Sequence, residues 1–235
     1  MQSGKKVKNS FFSLLGKSMR LLYEAEHTDD IFLKRCLVTS SILTSIYCLE
    51  AASNSVLEAL EERVNEKDYQ LLEKFELVLL KNTSNKIDKG CKEYQSVKRL
   101  IQLRNESVHP KVSSKKITYK SEKTDGNYAW SHQEFEKTCS SNKSIQRLPL
   151  EIESWSVSEA ELSIQAVVSF LNIFVCKWWG LDKNFRDYIF LPQSDVAKHG
   201  GKLMYDIDTL KMLKIYEESI ELKFINMPVL SDATA

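Results

Sequence analysis

The stretch LIQLRNESVHP, residues 100–110, brings three chemically different side chains together within two helical turns. Arg104 is a fixed cation, Asn105 an amide and His109 a titratable imidazole. The planar guanidinium of arginine matches the oxygens of a phosphate, and histidine has the side-chain pKa nearest to neutral pH. We therefore expect this trio to bind a phosphate and move a proton without a metal ion.

The apolar residues around this stretch have helical spacing, which predicts one buried stripe. They are Tyr94, Val97, Ile101 and Val108, with Leu100 and Leu103 beside them. Arg104 is predicted to lie on the stripe and Asn105 on its shoulder. Because an unpaired buried charge is very costly, Arg104 requires an acid, carbonyl groups or an anionic ligand. His109 precedes Pro110, so it is expected at the helix end, where a groove suits it better than a sealed core.

Outward from this helix, the pattern predicts further helices and one irregular insertion. The helices are expected at residues 9–26, 31–64, 66–81, 91–108, 157–179 and 206–220. Residues 111–154 are rich in Lys, Ser, Thr and Asn, and are predicted to form an insertion or flap. It contains two strand-like pieces, 116–120 and 148–153, which are compatible with a short β-hairpin.

Composition favours a helical domain over a turn-rich β-sandwich. The 235 residues include only four prolines and seven glycines, with 43% hydrophobic and 28% charged residues. The five cysteines are an odd number without metal-ligand or redox spacing, which favours a reducing compartment. The N-terminal apolar segment is interrupted by charges, so we expect no secretory signal. The apolar runs are shorter than a bilayer span, so a soluble, cytoplasmic protein is predicted.

The Arg104, Asn105, His109 pattern near the end of an amphipathic helix resembles the signature of the HEPN superfamily. The preceding helices agree, because a long apolar helix with small residues and an acidic position, Glu50, comes before a short polar helix and the motif helix. The resemblance implies an all-α bundle of about five main helices, a HEPN-like domain over 9–180 with 111–155 as an insertion. Residues 181–235 are predicted to be an appendage that packs on the same domain.

The resemblance also implies a function. Many HEPN proteins are metal-independent endoribonucleases, often toxins or antiviral effectors, which dimerise so that two motif helices share a groove. Carried over to this chain, Arg104 stabilises charge on the scissile phosphate, His109 activates the 2′-hydroxyl or protonates the leaving oxygen, and Asn105 orients one of them. Attack by the 2′-hydroxyl needs only proton transfer and charge stabilisation, and yields a 2′,3′-cyclic phosphate. No cofactor and no metal are expected, and the partners implied are RNA, a second copy and an antitoxin or regulatory protein.

Local charge agrees with an RNA substrate. Residues 97–123 contain eight cationic and two acidic residues, a net +6, although the whole chain carries only +1. Such a basic segment is the electrostatic footprint of a polyanion site, although lysines in a loop are also often simply solvated. The RNA-binding candidates are Lys98, Arg99, Lys111, Lys115 and Lys116. Beyond them, Tyr119, Tyr128 and Trp130 are candidates for stacking on unpaired bases.

Two alternatives stay open at the level of the sequence. In the first, Arg104 is a structural arginine paired with Glu50, Glu73 or Glu76, and His109 caps the helix end. In the second, the fold is a catalytically inactive HEPN-like module that dimerises or binds a ligand or partner through the same groove.

Overall fold

The computed structural model describes residues 4–7, 9–60, 65–108, 119–124, 127–132, 155–196, 200–203 and 205–227. Within these residues the chain forms seven α-helices, and the all-α class predicted from the sequence is confirmed. They are α1 (Phe11–His27), α2 (Ile31–Glu58), α3 (Leu71–Asn82), α4 (Lys92–Val108), α5 (Val157–Ile173), α6 (Lys183–Phe190) and α7 (Ile207–Ile215). The first five have 12 to 28 residues each, and α6 and α7 are short.

Five short strands accompany the helices: β1 (Gly4–Val7), β2 (Tyr119–Thr124), β3 (Asn127–His132), β4 (Gln193–Val196) and β5 (Gly200–Leu203). β4 is the central strand of an antiparallel sheet with β1 and β5, and β2 pairs with β3 as a hairpin. The hairpin begins at Tyr119, three residues later than the predicted strand-like piece 116–120. The other predicted piece, 148–153, lies outside the described residues.

Side-chain capping explains where several helices begin. Asp30 accepts hydrogen bonds from the backbone N–H groups of Phe32 and Leu33 at 2.9 and 3.0 Å, and so starts α2 at the predicted position. Glu159 accepts a hydrogen bond from the backbone N–H of Ser156 at 2.8 Å, the contact expected of a capping box. The π-helical continuation of α5, Phe174–Trp179, ends at Gly180, whose φ of 68° is left-handed.

Three predicted boundaries are wrong. The second helix ends at Glu58 rather than at 64. The third begins at Leu71 rather than at 66, because Glu66–Asp68 form a separate 3₁₀ turn capped by Asn65. The C-terminal helix, predicted for 206–220, ends at Ile215, and α6 was not predicted.

The core is built around α2, which packs against α1, α3, α4, α5 and α6. The serines and alanines in the middle of α2 allow α1 to approach closely, and the buried Ser41 hydroxyl donates to the Ser18 carbonyl of α1 at 2.8 Å. Phe75 of α3 meets Phe170 and Phe174 edge-on at centroid distances of 5.1 and 4.7 Å. Each such buried ring contributes about 1.5–3 kcal/mol.

The C-terminal elements complete the same core. Phe190 of α6 and Phe224 pack on each other and on Phe11 of α1. On α7, Thr209 lies against Gly16 of α1 and donates a hydrogen bond to the Phe12 carbonyl at 3.4 Å. A Cβ at Gly16 would lie 2.7 Å from the Thr209 Cβ, so only glycine permits this approach.

Two helical segments, Ile31–Glu58 and Val157–Trp179, are long and apolar enough to cross a membrane by length and composition. Half of the apolar window of the first and 61% of that of the second are buried inside the protein. The cytoplasmic location stays a prediction.

Candidate functional site

The buried face of α4 sets where the motif residues lie. Tyr94, Val97, Leu100 and Leu103 are buried, whereas Ile101 is only half-buried and Val108 is 51% exposed. The stripe predicted through Ile101 and Val108 is therefore wrong, because the helix turns its Leu100 and Leu103 side to the core. Arg104 consequently lies at the margin of the buried face and Asn105 on the exposed face.

The guanidinium of Arg104 is held from two sides. Nη2 donates a hydrogen bond to Oε1 of Glu50 on α2, and this contact is also an ion pair. Nη1 donates to Oδ1 of the neighbouring Asn105 at 3.1 Å. The Arg104 and Glu50 side chains are 30% and 33% exposed, so the pair is partly shielded from solvent. Two of the five guanidinium N–H groups are engaged by these contacts, and the others can meet a ligand.

Arg104 lies in the wall of a groove of about 850 Å³ between the start of α3, the middle of α2 and the face of α4. This volume lies within the range typical of small-molecule and cofactor sites. Its polar lining residues are Glu50, Gln70, Glu73, Glu76, Lys89, Tyr94, Lys98, Gln102, Arg104, Asn105 and Glu106. Ile46, Leu71, Leu72 and Ile101 supply apolar surface.

The groove carries mixed charge. Four glutamates and three cations line it, which gives a net charge of −1. Glu76 forms an ion pair with Lys89, with an N–O distance of 2.8 Å, and Glu73 accepts the backbone N–H of Gln70 at 2.7 Å. Lys98 also lines this wall, and the described residues show no ion pair to it. The groove is therefore less basic than residues 97–123 taken as a segment.

Two groups at the rim have shifted pKa values. The hydrogen bond and the charge of Glu76 raise the pKa of Lys89. Burial raises the pKa of Tyr94, an effect that Lys89 opposes and Glu76 reinforces. Both groups keep their usual protonation at neutral pH, so Lys89 stays a cation and Tyr94 stays a neutral hydrogen-bonding group.

The structure brings some of the predicted residues together and leaves others elsewhere. Arg104, Asn105 and Lys98 line one groove. Arg99 is not among the residues that line it, and its Nη1 donates to Gln102 at 2.9 Å. His109, Lys111, Lys115 and Lys116 lie outside the described residues. Of the stacking candidates, Tyr119 lies in β2, and Tyr128 and Trp130 in β3.

Sequence reasoning missed several residues of this groove. Gln102 and Glu106 could have been found by projecting α4 as a helix from Lys98, because positions three or four apart share a face. Gln70 and Lys89 could not, because they come from the start of α3 and from the loop between α3 and α4.

The four cysteines in the described residues give no sign of a second chemical centre. Cys48 is buried in α2, and its burial raises the pKa of the thiol well above its usual range. Cys36 and Cys176 are exposed. Within the described part of the chain, no three His, Cys, Asp or Glu side chains are grouped as a metal site would need. Cys139 lies outside that part.

No match to this chain was found among protein-family models, curated proteins or solved structures. The resemblance to the HEPN superfamily therefore rests on Arg104, Asn105 and His109 and on their helical context.

Proposed function

We propose that this protein is a metal-independent endoribonuclease of HEPN type that cleaves single-stranded RNA. The observation that carries the proposal is the setting of Arg104, which is fixed by Glu50 and Asn105 in the wall of a groove. An arginine with defined orientation and spare N–H groups is suited to a phosphate. His109 follows five positions later in the chain, close enough in sequence to serve the same groove.

The proposed reaction needs no external reagent. A base removes the proton of the 2′-hydroxyl, its oxygen attacks the adjacent phosphorus, and the bond to the 5′-oxygen breaks. An acid then protonates that leaving oxygen, which yields a 2′,3′-cyclic phosphate and a 5′-hydroxyl. His109 performs one of the two proton transfers, Arg104 stabilises the charge that develops on the phosphate oxygens, and Asn105 orients Arg104.

The architecture belongs to the same proposal. Helices α1 to α5 belong to a HEPN-like domain over 9–180, and the segment 181–235, which contains α6 and α7, is an appendage of that domain. Two copies associate so that their α4 helices line a composite site. The setting is a cytoplasmic toxin or antiviral-defence system, in which an antitoxin or regulatory protein restrains the activity. Lys98, Arg99, Lys111, Lys115 and Lys116 contribute to RNA binding, Lys98 most directly because it lines the groove.

The test is cleavage of an end-labelled single-stranded RNA in EDTA. We expect wild type to cut and to leave cyclic phosphate ends, and Arg104→Ala and His109→Ala to lower the rate by about 10²–10⁴-fold. An RNA with 2′-deoxy sugars should resist cutting. Matched controls are Arg20→Ala and His27→Ala, which remove the same side-chain types from the exposed side and end of α1. Wild-type cleavage rates for both Arg104→Ala and His109→Ala would contradict the proposal.

A second candidate is an inactive HEPN-like module that binds a ligand or protein partner. The net negative charge of the groove and its apolar residues Ile46, Leu71 and Leu72 favour this reading. It predicts that no RNA is cut, while a partner is retained by wild type and lost by Arg104→Ala in a pull-down.

A further inference from the structure

Glu50 places a negative charge next to Arg104, where the proposed function requires a phosphate to bind. Its Oε1 accepts from Nη2 of Arg104, and the pair is about two-thirds shielded from solvent. A carboxylate there lowers the affinity of the groove for any polyanion, since like charges repel. Something must offset that loss if the groove serves RNA.

Orientation is what Glu50 supplies. An arginine side chain has many rotamers, and fixing one of them costs side-chain entropy. The carboxylate of Glu50 fixes one edge of the guanidinium from α2, and Asn105 engages Nη1 from α4. The remaining N–H groups are thereby held in one direction before a substrate arrives.

We propose that Glu50 is a positioning residue for Arg104. Its carboxylate lowers the affinity of the groove for RNA and in return holds the guanidinium in the orientation that the reaction needs. The inference rests on the proposed ribonuclease function. Its two consequences have opposite signs, because removing the charge of Glu50 tightens RNA binding while it slows the chemical step. The loss of any groove carboxylate tightens RNA binding, whereas only the loss of a residue that positions Arg104 also slows the chemical step.

Among the four glutamates of the groove, Glu50 is the one whose contacts fit a positioning role, because the other three have different neighbours. Glu76 is engaged by Lys89, and Glu73 by the backbone N–H of Gln70. Glu106 also lines the groove, and the described residues show no hydrogen bond or ion pair from it to Arg104. It therefore offers a matched control that removes one negative charge from the same groove without touching the guanidinium contact.

The experiment compares wild type, Glu50→Gln and Glu106→Gln in three measurements. The first is NMR of the Arg104 guanidinium, assigned by the loss of its signals in Arg104→Lys. We expect hindered rotation in wild type and in Glu106→Gln, and averaged signals in Glu50→Gln. Guanidinium signals that are the same in wild type and Glu50→Gln would overturn the proposal.

The second measurement is binding of a fluorescent 2′-O-methyl oligoribonucleotide, which cannot be cut. Both variants should bind it about fivefold more tightly than wild type, because each removes one charge from the groove. The third is cleavage of the matching RNA. There kcat should fall about tenfold and KM should also fall in Glu50→Gln, whereas Glu106→Gln should lower KM alone.

Different results would contradict the positioning role of Glu50 and the ribonuclease function. If wild type cuts no RNA, the ribonuclease function is wrong, and the NMR and binding results still decide whether Glu50 positions Arg104 at a cost in affinity. If wild type cuts RNA and Glu50→Gln has an unchanged kcat, the role of Glu50 is wrong and the ribonuclease function stands. Absence of oligonucleotide binding by wild type and Glu50→Gln alike also overturns the role of Glu50.

Discussion

At the scale of single residues, the three glutamates that the sequence offered as partners of Arg104 differ in the groups that they contact. Glu73 is used by the start of α3 and Glu76 by Lys89, so only Glu50 has its carboxylate directed at the guanidinium. A single acid is therefore enough to neutralise Arg104, and the other two contribute only to the longer-range field of the groove.

The sequence identified Glu50, Glu73 and Glu76 as possible partners of Arg104, and it could not choose among them. Glu50 and Arg104 are 54 positions apart, so their meeting depends on how α2 and α4 pack and not on local spacing. Arg104 and Asn105 were found because their chemistry is local. The position of Arg104 at the margin of the buried face could not be predicted. Leu100 and Ile101 are equally apolar, so the sequence does not show which of them faces the core.

A second residue-scale feature is the pair formed by Tyr216 and Glu26. The Tyr216 hydroxyl donates to the Glu26 carboxylate at 2.7 Å, and burial, followed by this hydrogen bond and the charge of Glu26, raises the pKa of Tyr216 strongly. The pKa in the unfolded chain is about 10. The stability that depends on protonated Tyr216 is therefore present below pH 10 and is lost as the pH rises from there towards the folded pKa.

We expect the melting temperature of wild type to fall more steeply between pH 9.5 and 11 than that of Tyr216→Phe. At pH 7 the variant should lose about 1 kcal/mol, because the hydrogen bond to Glu26 is absent. Thermal unfolding followed by circular dichroism at several pH values measures both. Tyr94 and Tyr205 also have raised pKa values and give the same background in both proteins. Parallel pH profiles would show that Tyr216 does not carry the alkaline loss.

At the scale of elements, α2 depends on its cap. Asp30→Ala removes the acceptor for the N–H groups of Phe32 and Leu33, and should lower the free energy of unfolding by about 1 kcal/mol. Asp30→Asn should keep most of that stability, since asparagine caps equally well. Asp29→Ala is the matched control, because no described backbone N–H of α2 donates to Asp29. Equal losses at both positions in urea unfolding would contradict the assignment of the cap.

Helices with a strong local signal could be predicted, and those without one could not. The starts of α2 and α5 are marked by Asp30 and by the Ser156–Glu159 pair, and both helices follow as long apolar stretches without Gly or Pro, which favours a helix. α6 has only eight residues, so the helical spacing of Phe185, Tyr188 and Ile189 is too short to separate a helix from a loop in the sequence. The start of α3 was placed too early because Gln70, its N-cap, is not a residue that usually marks a helix start.

At the scale of the whole molecule, α7 is tied to α1 through the glycine contact. Gly16→Ala places a methyl group 2.0 Å from the Thr209 hydroxyl oxygen and 2.9 Å from the Thr209 Cα, so the two helices must separate. We expect a loss of about 2 kcal/mol, which lowers the melting temperature by roughly 4–8 °C in a chain of this size. Amide exchange should speed up along α7.

The matched control is Gly90→Ala, where the new methyl group would meet only the Asp88 carboxylate oxygen at 3.3 Å. Gly90 does not have a positive φ, so this variant should stay within about 0.5 kcal/mol of wild type. A Gly16→Ala protein as stable as the control would mean that α1 and α7 do not pack as closely as described.

The contact between Thr209 and Phe12 also has a consequence for biosynthesis, since the two residues are 197 positions apart in the chain. A ribosome adds about 5–20 residues per second, so roughly 10–40 s separate the synthesis of α1 from that of the helix that covers it. During that interval the phenylalanines of α1 lack their final partners, whereas every described residue of the groove has been made by the time synthesis reaches Glu106. The nascent chain therefore passes through a stage in which a chaperone can engage α1 while the Arg104 groove assembles.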